Sequence, residues 1–497
     1  MEREIEVNKN FIILENLEEL KSLSLDFINQ TDRFYTLFNN IKFPITLVVE
    51  KFYSDRDYKD SYYYFFASKY FNYSKYAHRI VIFSGKIPQE EFYDKNFDLE
   101  EKIIGTITIK PLKTGSIGKT LFNPAKLDIS QSFVRTTGFQ IGILGRRLTI
   151  ESFPFSSQDS EYMTCAETSL WAMLQYYGTR YKEYKVALPH EIVNIIDDKH
   201  FQRVSPSSGL HYVQSSEVLK KFGFSSQIYY RFVGEKNYYS PDNQFKRLFH
   251  YYIESGIPLM TGIRLKSNSS ETGHAVVCVG HGKSYVDSEI ETQTINGINI
   301  LNSADFIKEY VYMDDNKYPF YKNNFDEFEY TNTETKIKYF IVPLYKRVFL
   351  DASEAEKTFY EILNNDIFGL KNLNQKYSSI VIRIFLATAR NYKESRFKSL
   401  SKSYIVIDNI PLPKFIWVCE ISTKELYKEN KIFGEIVLDA TASKHDKFNQ
   451  LILLRYPNKL SYKIFEEPLE RLKSRLSINR RDLELTYEMY KNNLKEI

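Results

Sequence analysis

One cysteine and one histidine in this chain stand where their side chains can do chemistry. Cys165 opens the run Cys165-Ala166-Glu167-Thr168-Ser169-Leu170-Trp171-Ala172-Met173-Leu174. Leu170, Met173, Leu174 and Tyr177 follow at i, i+3, i+4 and i+7, which predicts a helix with one buried stripe, the thiol in its first turn and Gly178 as its C-cap. The positive end of a helix dipole favours a thiolate at such a position. Further along, His274 follows Gly273 and opens the apolar run Ala275-Val276-Val277-Cys278-Val279, a buried strand with an imidazole at its mouth. A thiol and an imidazole so placed are the parts of nucleophilic catalysis: the ring takes the thiol proton and later returns it to the leaving group. The inert alternatives are a core cysteine and a histidine that caps a sheet. Against them, Cys165 precedes the apolar stripe instead of lying within it, and the segment Ser156-Ser157-Gln158-Asp159-Ser160-Glu161 before it is polar.

An imidazole used as a base needs a group that orients it and stabilises its charged form. Asp314 ends the strand Tyr310-Val311-Tyr312-Met313 and is the chosen third member; Asp315 is the alternative, expected on the opposite face because side chains alternate along a strand. An oxyanion would need a donor besides the Cys165 backbone N–H, and Gln158, in the loop upstream, is the candidate. Asp159, a carboxylate, is unsuited to that role. Metal chemistry is not expected: no His-x-x-x-His or Cys-x-x-Cys spacing occurs, and His281 reads as a lone strand-end residue. Ile117-Gly118-Lys119-Thr120 lacks the full glycine spacing of a phosphate loop and reads as a hairpin or turn. Asp439-Ala440-Thr441-Ala442 reads as a turn, and Cys278 as core.

Composition narrows the class. With 497 residues, 43% hydrophobic and 26% charged, the chain is globular and long enough for two to four domains. A net charge of +4 with no basic run implies no nucleic-acid partner. The first residues lack the apolar core of a signal peptide, and no apolar run is long enough to insert in a membrane. Three cysteines, odd in number and far apart, argue for a reducing, cytoplasmic setting over a disulfide scaffold. The 39 Tyr and 37 Phe, with many Lys, Asn and Ile, fit the codon bias of an AT-rich genome.

The pattern along the chain predicts three parts. Residues 1–148 carry β-like runs such as Ile45–Glu50, Arg79–Phe83 and Gly105–Leu112. Residues 149–346 begin with helices (Cys165 onward, Pro189–Ile196, Ser215–Phe224, Phe245–Ser255) and end with strands (Leu259–Ile263, the histidine strand, Tyr310–Asp314, Tyr339–Leu344). Helices first and strands later is an α+β order. Residues 347–497 open on a helix over Ala352–Leu363, continue with strands at Ile380–Ala389, Tyr404–Ile407, Phe415–Cys419 and Gly434–Asp439, and close from Glu467 on a mixed-charge helix.

Gln158, Cys165, Leu170–Leu174, Ser255-Gly256-Ile257-Pro258, Gly273–Gly280 and Met313-Asp314-Asp315 together resemble the papain-like cysteine peptidase superfamily over about residues 150–345. The resemblance is nearest to the branch of bacteriocin leader-processing peptidases. It implies an α+β papain-like core, with a helical subdomain carrying the cysteine and an antiparallel β subdomain carrying His and Asp, flanked by strand-rich α+β regions. It also implies a catalytic set of Cys165, His274 and Asp314 with Gln158 assisting the oxyanion, no cofactor, and a protein or peptide substrate. Ala166 stands where the family usually has glycine, and the branch's glutamine position holds Asp159. The gap from His274 to Asp314 is longer than in the family and implies an inserted segment around Ser284–Lys308. A cysteine peptidase or amide hydrolase is the expected function. An acyl or γ-glutamyl transferase with the same triad and a non-catalytic interaction module of that fold remain as alternatives.

Overall fold

The computed structural model of the chain describes residues 11–23, 32–113, 116–159, 161–197, 210–231, 242–266, 271–287, 290, 292–325, 334–365, 376–400, 404–442, 450–457, 459–462 and 485–497. The fold is mixed α+β, built on several largely antiparallel sheets. The helix expected in the tail beyond Glu467 falls mostly outside the described residues.

Three sheets organise the chain. Phe11–Leu14, Ile45–Tyr53, Ala77–Ser84, Ile103–Ile109 and Ile117–Phe122 pair in chain order as a five-stranded antiparallel meander. Ile117–Phe122 is the second strand of a hairpin with Ile103–Ile109, so of the hairpin or turn expected at Ile117-Gly118-Lys119-Thr120 it is the hairpin that forms. An eight-stranded sheet has Glu271–Gly282, the histidine strand, at its centre. Glu309–Met313 lies on one side of it; Leu259–Lys266 lies on the other, where the short Ser132–Val134 continues the edge along Gly280–Gly282. A seven-stranded sheet runs from Gln293–Ile295 and Ile298–Asn302 through Ser379–Thr388, Phe415–Ser422 and Gly434–Asp439 to Lys459–Tyr462. Asp439 closes its strand in a turn, accepting from the Thr441 backbone N–H and hydroxyl.

The expected boundaries at 148/149 and 346/347 are crossed by hydrogen bonds. Ser132–Val134 joins the sheet of the histidine strand, and Lys495–Glu496 from the far end of the chain pairs with it in turn. Gln293–Ile295 and Ile298–Asn302, from the segment between His274 and Asp314, join the third sheet, the latter in parallel with Ser379–Thr388. One expected strand is a helix: Tyr404–Asn409 is helical. A short apolar run carries no periodicity that separates the two states.

The cysteine helix spans Cys165–Arg180 and departs from the expected single stripe. Every residue from Ala166 to Tyr177 is buried. A helix covered all round needs packing on both sides. One continuous apolar cluster supplies it, joining Leu47, Ile80 and Ile107 of the five-stranded sheet to Leu170, Met173 and Leu174, and these to Val277, Val279 and Met313 of the eight-stranded sheet. Gly178 is not the C-cap; the helix runs on to Arg180, and a Cβ at 178 would come within 2.4 Å of the Val186 backbone nitrogen.

Buried polar links fix the outer pieces to this helix. Arg135 donates to the hydroxyls of Tyr176 (2.6 Å) and Tyr181 (3.0 Å) and to the Asn493 carbonyl. Glu254, at the end of the helix Asp242–Glu254, accepts from Arg383 of the third sheet, which also binds Glu420 at 2.6 Å. Arg396 continues the chain of charges to Glu420 and Glu435. Truncating one member of such a network leaves buried partners unpaired, at a cost of about 3–5 kcal/mol. Arg396→Ala, which strands the buried Glu420 and Glu435, is expected to lose stability of that order in urea-unfolding experiments, whereas a surface substitution such as Lys414→Ala, at an exposed ion pair with Glu183, should change it by under about 1 kcal/mol.

Candidate active site

The first turn of the cysteine helix is prepared by the loop before it. Asp159, fully buried, accepts through Oδ1 from the backbone N–H groups of Glu161 (3.1 Å), Tyr162 (2.8 Å) and Met163 (2.9 Å). Its own N–H donates to the Met163 carbonyl at 3.0 Å, so the turn is closed from both directions. Ser157 stitches the loop to the edge of the five-stranded sheet, through Ile117 N–H to Ser157 Oγ at 2.9 Å and Ser157 N–H to the Ile117 carbonyl at 2.9 Å. Asp159 therefore has a structural task, and Gln158 is held between two anchored residues. Thr164 precedes the helix in extended conformation and caps none of its N–H groups; its hydroxyl is bonded to Glu167. The first N–H groups of the helix have no acceptor within it.

Cys165 is half-buried, in contrast to Cys278 and Cys419, which are sealed in the interior with 0% exposure. The Ser169 hydroxyl, one helical turn on from Cys165, donates to the Ala275 carbonyl at 3.2 Å and ties the helix to the residue after His274. His274 is buried and hydrogen-bonded to the Cys165 side chain. Its Nε2 lies 2.9 Å from Asp314 Oδ1, 3.4 Å from Asp315 Oδ1 and 3.2 Å from the Asn316 side-chain amide. With Nε2 so occupied, Nδ1 is the nitrogen left for the thiol.

Strand register explains why three consecutive residues reach one ring. Val277 pairs with Met313, the last residue of its strand, and that pairing sets the turn that follows, 314–316, beside His274. Asp315 was expected on the opposite face. It lies against the imidazole too, because the strand stops at Met313 and side-chain alternation stops with it. Asp314 also accepts from the Asn316 backbone N–H at 2.9 Å, while Arg33 donates to the Asn316 side-chain oxygen Oδ1 at 2.8 Å. The Gln158 backbone amide faces Asp315. Cys165, His274, Asp314, Asp315 and Gln158 are thus gathered in one place. Asn316 and Arg33 escaped the sequence reading: Asn316 had only the signature of a turn residue, and nothing local links Arg33 to this strand end.

Electrostatics at the ring oppose one another. Burial pulls the imidazole towards neutrality, but hydrogen bonds to Asp314 and Cys165 and the charges of Asp314 and Asp315 together outweigh it. The His274 pKa is raised well above its ordinary value, so the imidazolium is favoured. Asp315 shows the converse. Burial raises its carboxyl to about 6, and Asp314 adds to the rise against the lowering pull of His274, Arg33 and the Gln158 amide.

Tyr339 forms a wall beside the thiol. Its hydroxyl is raised to about 12, first by burial and then by Cys165. The ring lies over Gly262, where a Cβ would sit 2.2 Å from it, so glycine is required for that placement. Tyr212 and Tyr230 extend the aromatic surface, with ring centroids 5.3 Å and 5.7 Å from that of Tyr339.

Among the described residues one group of donors could hold a cation: His274, Asp314 and Asp315 each offer an atom, all within 4.8 Å of one another. The shortest of these separations, Nε2 to Asp314, is a hydrogen-bond distance between the donors themselves. His281, expected to be isolated, instead lies 3.1 Å from Glu254 and stacks on Phe133. No helix among the described residues is long and apolar enough to cross a membrane. No protein-family model matches the sequence, and no curated protein matches it either.

The raised carboxyl of Asp315 gives a pH signature. A folded-state value above the unfolded one adds stability that is complete below about pH 4 and is lost as pH climbs through about 6. Asp315→Asn should flatten that part of the profile, remaining more stable than the wild type above pH 6 by on the order of 2 kcal/mol. Thermal melts between pH 4 and 7 on both proteins read this directly; parallel profiles would contradict it.

Proposed function

We propose that the chain is a cysteine hydrolase that cleaves a peptide or other amide bond through a Cys165–His274–Asp314 triad. The observation that carries the proposal is one imidazole in hydrogen-bond contact with a half-buried thiol and with a fully buried carboxylate. In this reading the thiol proton first passes to His274, giving the favoured imidazolium, and Cys165 Sγ then attacks the amide carbonyl carbon. Negative charge on the carbonyl oxygen is met by the Cys165 backbone N–H and the Gln158 side chain. As the tetrahedral species collapses, the C–N bond breaks and His274 hands its proton to the departing amine, leaving a thioester. Water, deprotonated by His274, then attacks the thioester and returns a carboxylic acid and the free thiol.

Asp314 keeps Nε2 protonated and Nδ1 aimed at sulfur, while Asp315 adds negative charge that favours the imidazolium. The tyrosine surface around Tyr339 offers apolar and aromatic contact to a substrate side chain. The chemistry needs a free thiol, which fits the reducing cytoplasm expected from the cysteine content. Geometry of this kind also resembles the papain-like arrangement read from the sequence, with the bacteriocin leader-processing branch as the nearest pattern.

A thiol-directed alkylating probe tests the proposal. In the native protein Cys165 should be labelled, with Cys278 and Cys419 protected until denaturation. His274→Ala should slow labelling at neutral pH at least tenfold, and Asp314→Ala by a smaller factor. Equal rates in wild type and His274→Ala would mean that the pair does not activate sulfur, and an interaction module would be the remaining reading. Trapping of the acyl group by an added amine in preference to water would move the assignment from hydrolase to transferase.

A further inference from the structure

A cavity of about 390 Å³ opens where the eight-stranded and seven-stranded sheets meet. None of the site residues around Cys165 lines it. Its volume falls in the range of small-molecule pockets, roughly 300–1,000 Å³. Separate stretches of chain supply its walls, among them the end of the histidine strand, Arg383 of the third sheet, and the final segment containing Met489, Lys491 and Leu494. The cavity is thus formed only when both sheets and that last segment are in place.

Charge in the lining is one-sided. Four permanent cations, Lys283, Arg383, Lys428 and Lys491, face two carboxylates, Glu254 and Glu496. Both carboxylates are already engaged. Glu254 is gripped by Arg383 and lies 3.1 Å from His281, and Glu496 accepts from Gln131 at 2.7 Å. Lys283 and Lys491 are exposed at the rim, whereas Lys428 is paired with Asp287 at 2.6 Å.

The remaining lining has two characters. The hydroxyls of Ser284 and Tyr427, 3.4 Å apart, and the Asn430 amide offer neutral donors. Phe133, stacked on His281 with ring centroids 5.2 Å apart, forms with Val286 and Met489 an apolar wall. Lys283 and Lys491 at the rim would repel a cation, and a purely apolar molecule would leave their ammonium groups unused. A body with an acidic head and a ring or short apolar part satisfies both sets of residues.

We propose that this seam cavity binds a small organic anion, its phosphate or carboxylate head at Lys283 and Lys491 and its apolar part against Phe133 and Met489. The site is separate from the triad, and its occupancy does not depend on the hydrolase reading.

Calorimetric titration of the full chain at fixed ionic strength tests the proposal, with phenyl phosphate and phenylsuccinate as probes and benzyl alcohol as the neutral control. Saturable binding of either anion, weakened at least fivefold in Lys283→Ala and in Lys491→Ala, is the expected result, and the stronger of the two identifies the head group. Both lysines are exposed, so the variants should melt like the wild type without a probe. Benzyl alcohol bound as tightly as the anions, equal affinity in the lysine variants, or no saturable binding of either anion would overturn the proposal.

Discussion

A helix buried on every face fixes where its first residue points, and the arrangement around Cys165 follows from that constraint. The Ser169 hydroxyl bond to the Ala275 carbonyl contributes about 1 kcal/mol net, as hydrogen bonds between protein groups do. Leu170, Met173 and Leu174, each fully buried, contribute roughly 2 kcal/mol apiece by leaving water. Apolar packing therefore holds the helix in place, and the Ser169 bond only sets its rotation against the histidine strand. The histidine strand covers one side of the helix, and Thr137–Ile143 with the helices Pro189–Asp197 and Tyr212–Lys221 pack elsewhere around it, so the first turn cannot tilt without opening a core.

At the imidazole the balance is electrostatic. Burial alone would leave His274 neutral, and two adjacent carboxylates with a thiol reverse that preference. The same crowding acts on the carboxylates unequally. Asp314, fully buried, has Nε2 and the Asn316 amide as partners, while Asp315 lies farther from the ring and holds its proton more readily. Two neighbouring acids thus divide into a close partner and a reserve, which is how coupled groups in one small volume separate their protonation states.

Local patterns carried much of this into the sequence. The thiol at a helix start, the histidine at a strand mouth and an acid at the next strand's end were all legible, because each depends on spacing within a few residues. Register was not. That Asp314, Asp315 and Asn316 converge on one ring follows from how Glu309–Met313 pairs with Glu271–Gly282, and pairing between distant strands leaves no local trace. The helical stripe was read too narrowly for the same reason: Ser169 and Gln175 look like a solvated face until Ala275 of the histidine strand and the residues Asp57 and Ala187 take up their side chains. Tyr404–Asn409 was misread because a short apolar run is compatible with either state. Gly178 was taken for a terminator, and its actual reason, the close approach of Val186, is again tertiary.

The excursion of Gln293–Asn302 has a consequence for how such a chain can change. Between its imidazole and its acid the backbone leaves one sheet, adds two strands to another, and comes back. Residues 149–346 are therefore not a cassette that recombination could lift out, since their removal would strip the outer strands from the neighbouring sheet and expose a raw edge. Cutting the chain between residues 346 and 347 would likewise part Ile298–Asn302 from its parallel partner Ser379–Thr388, so the two sheets stand or fall together.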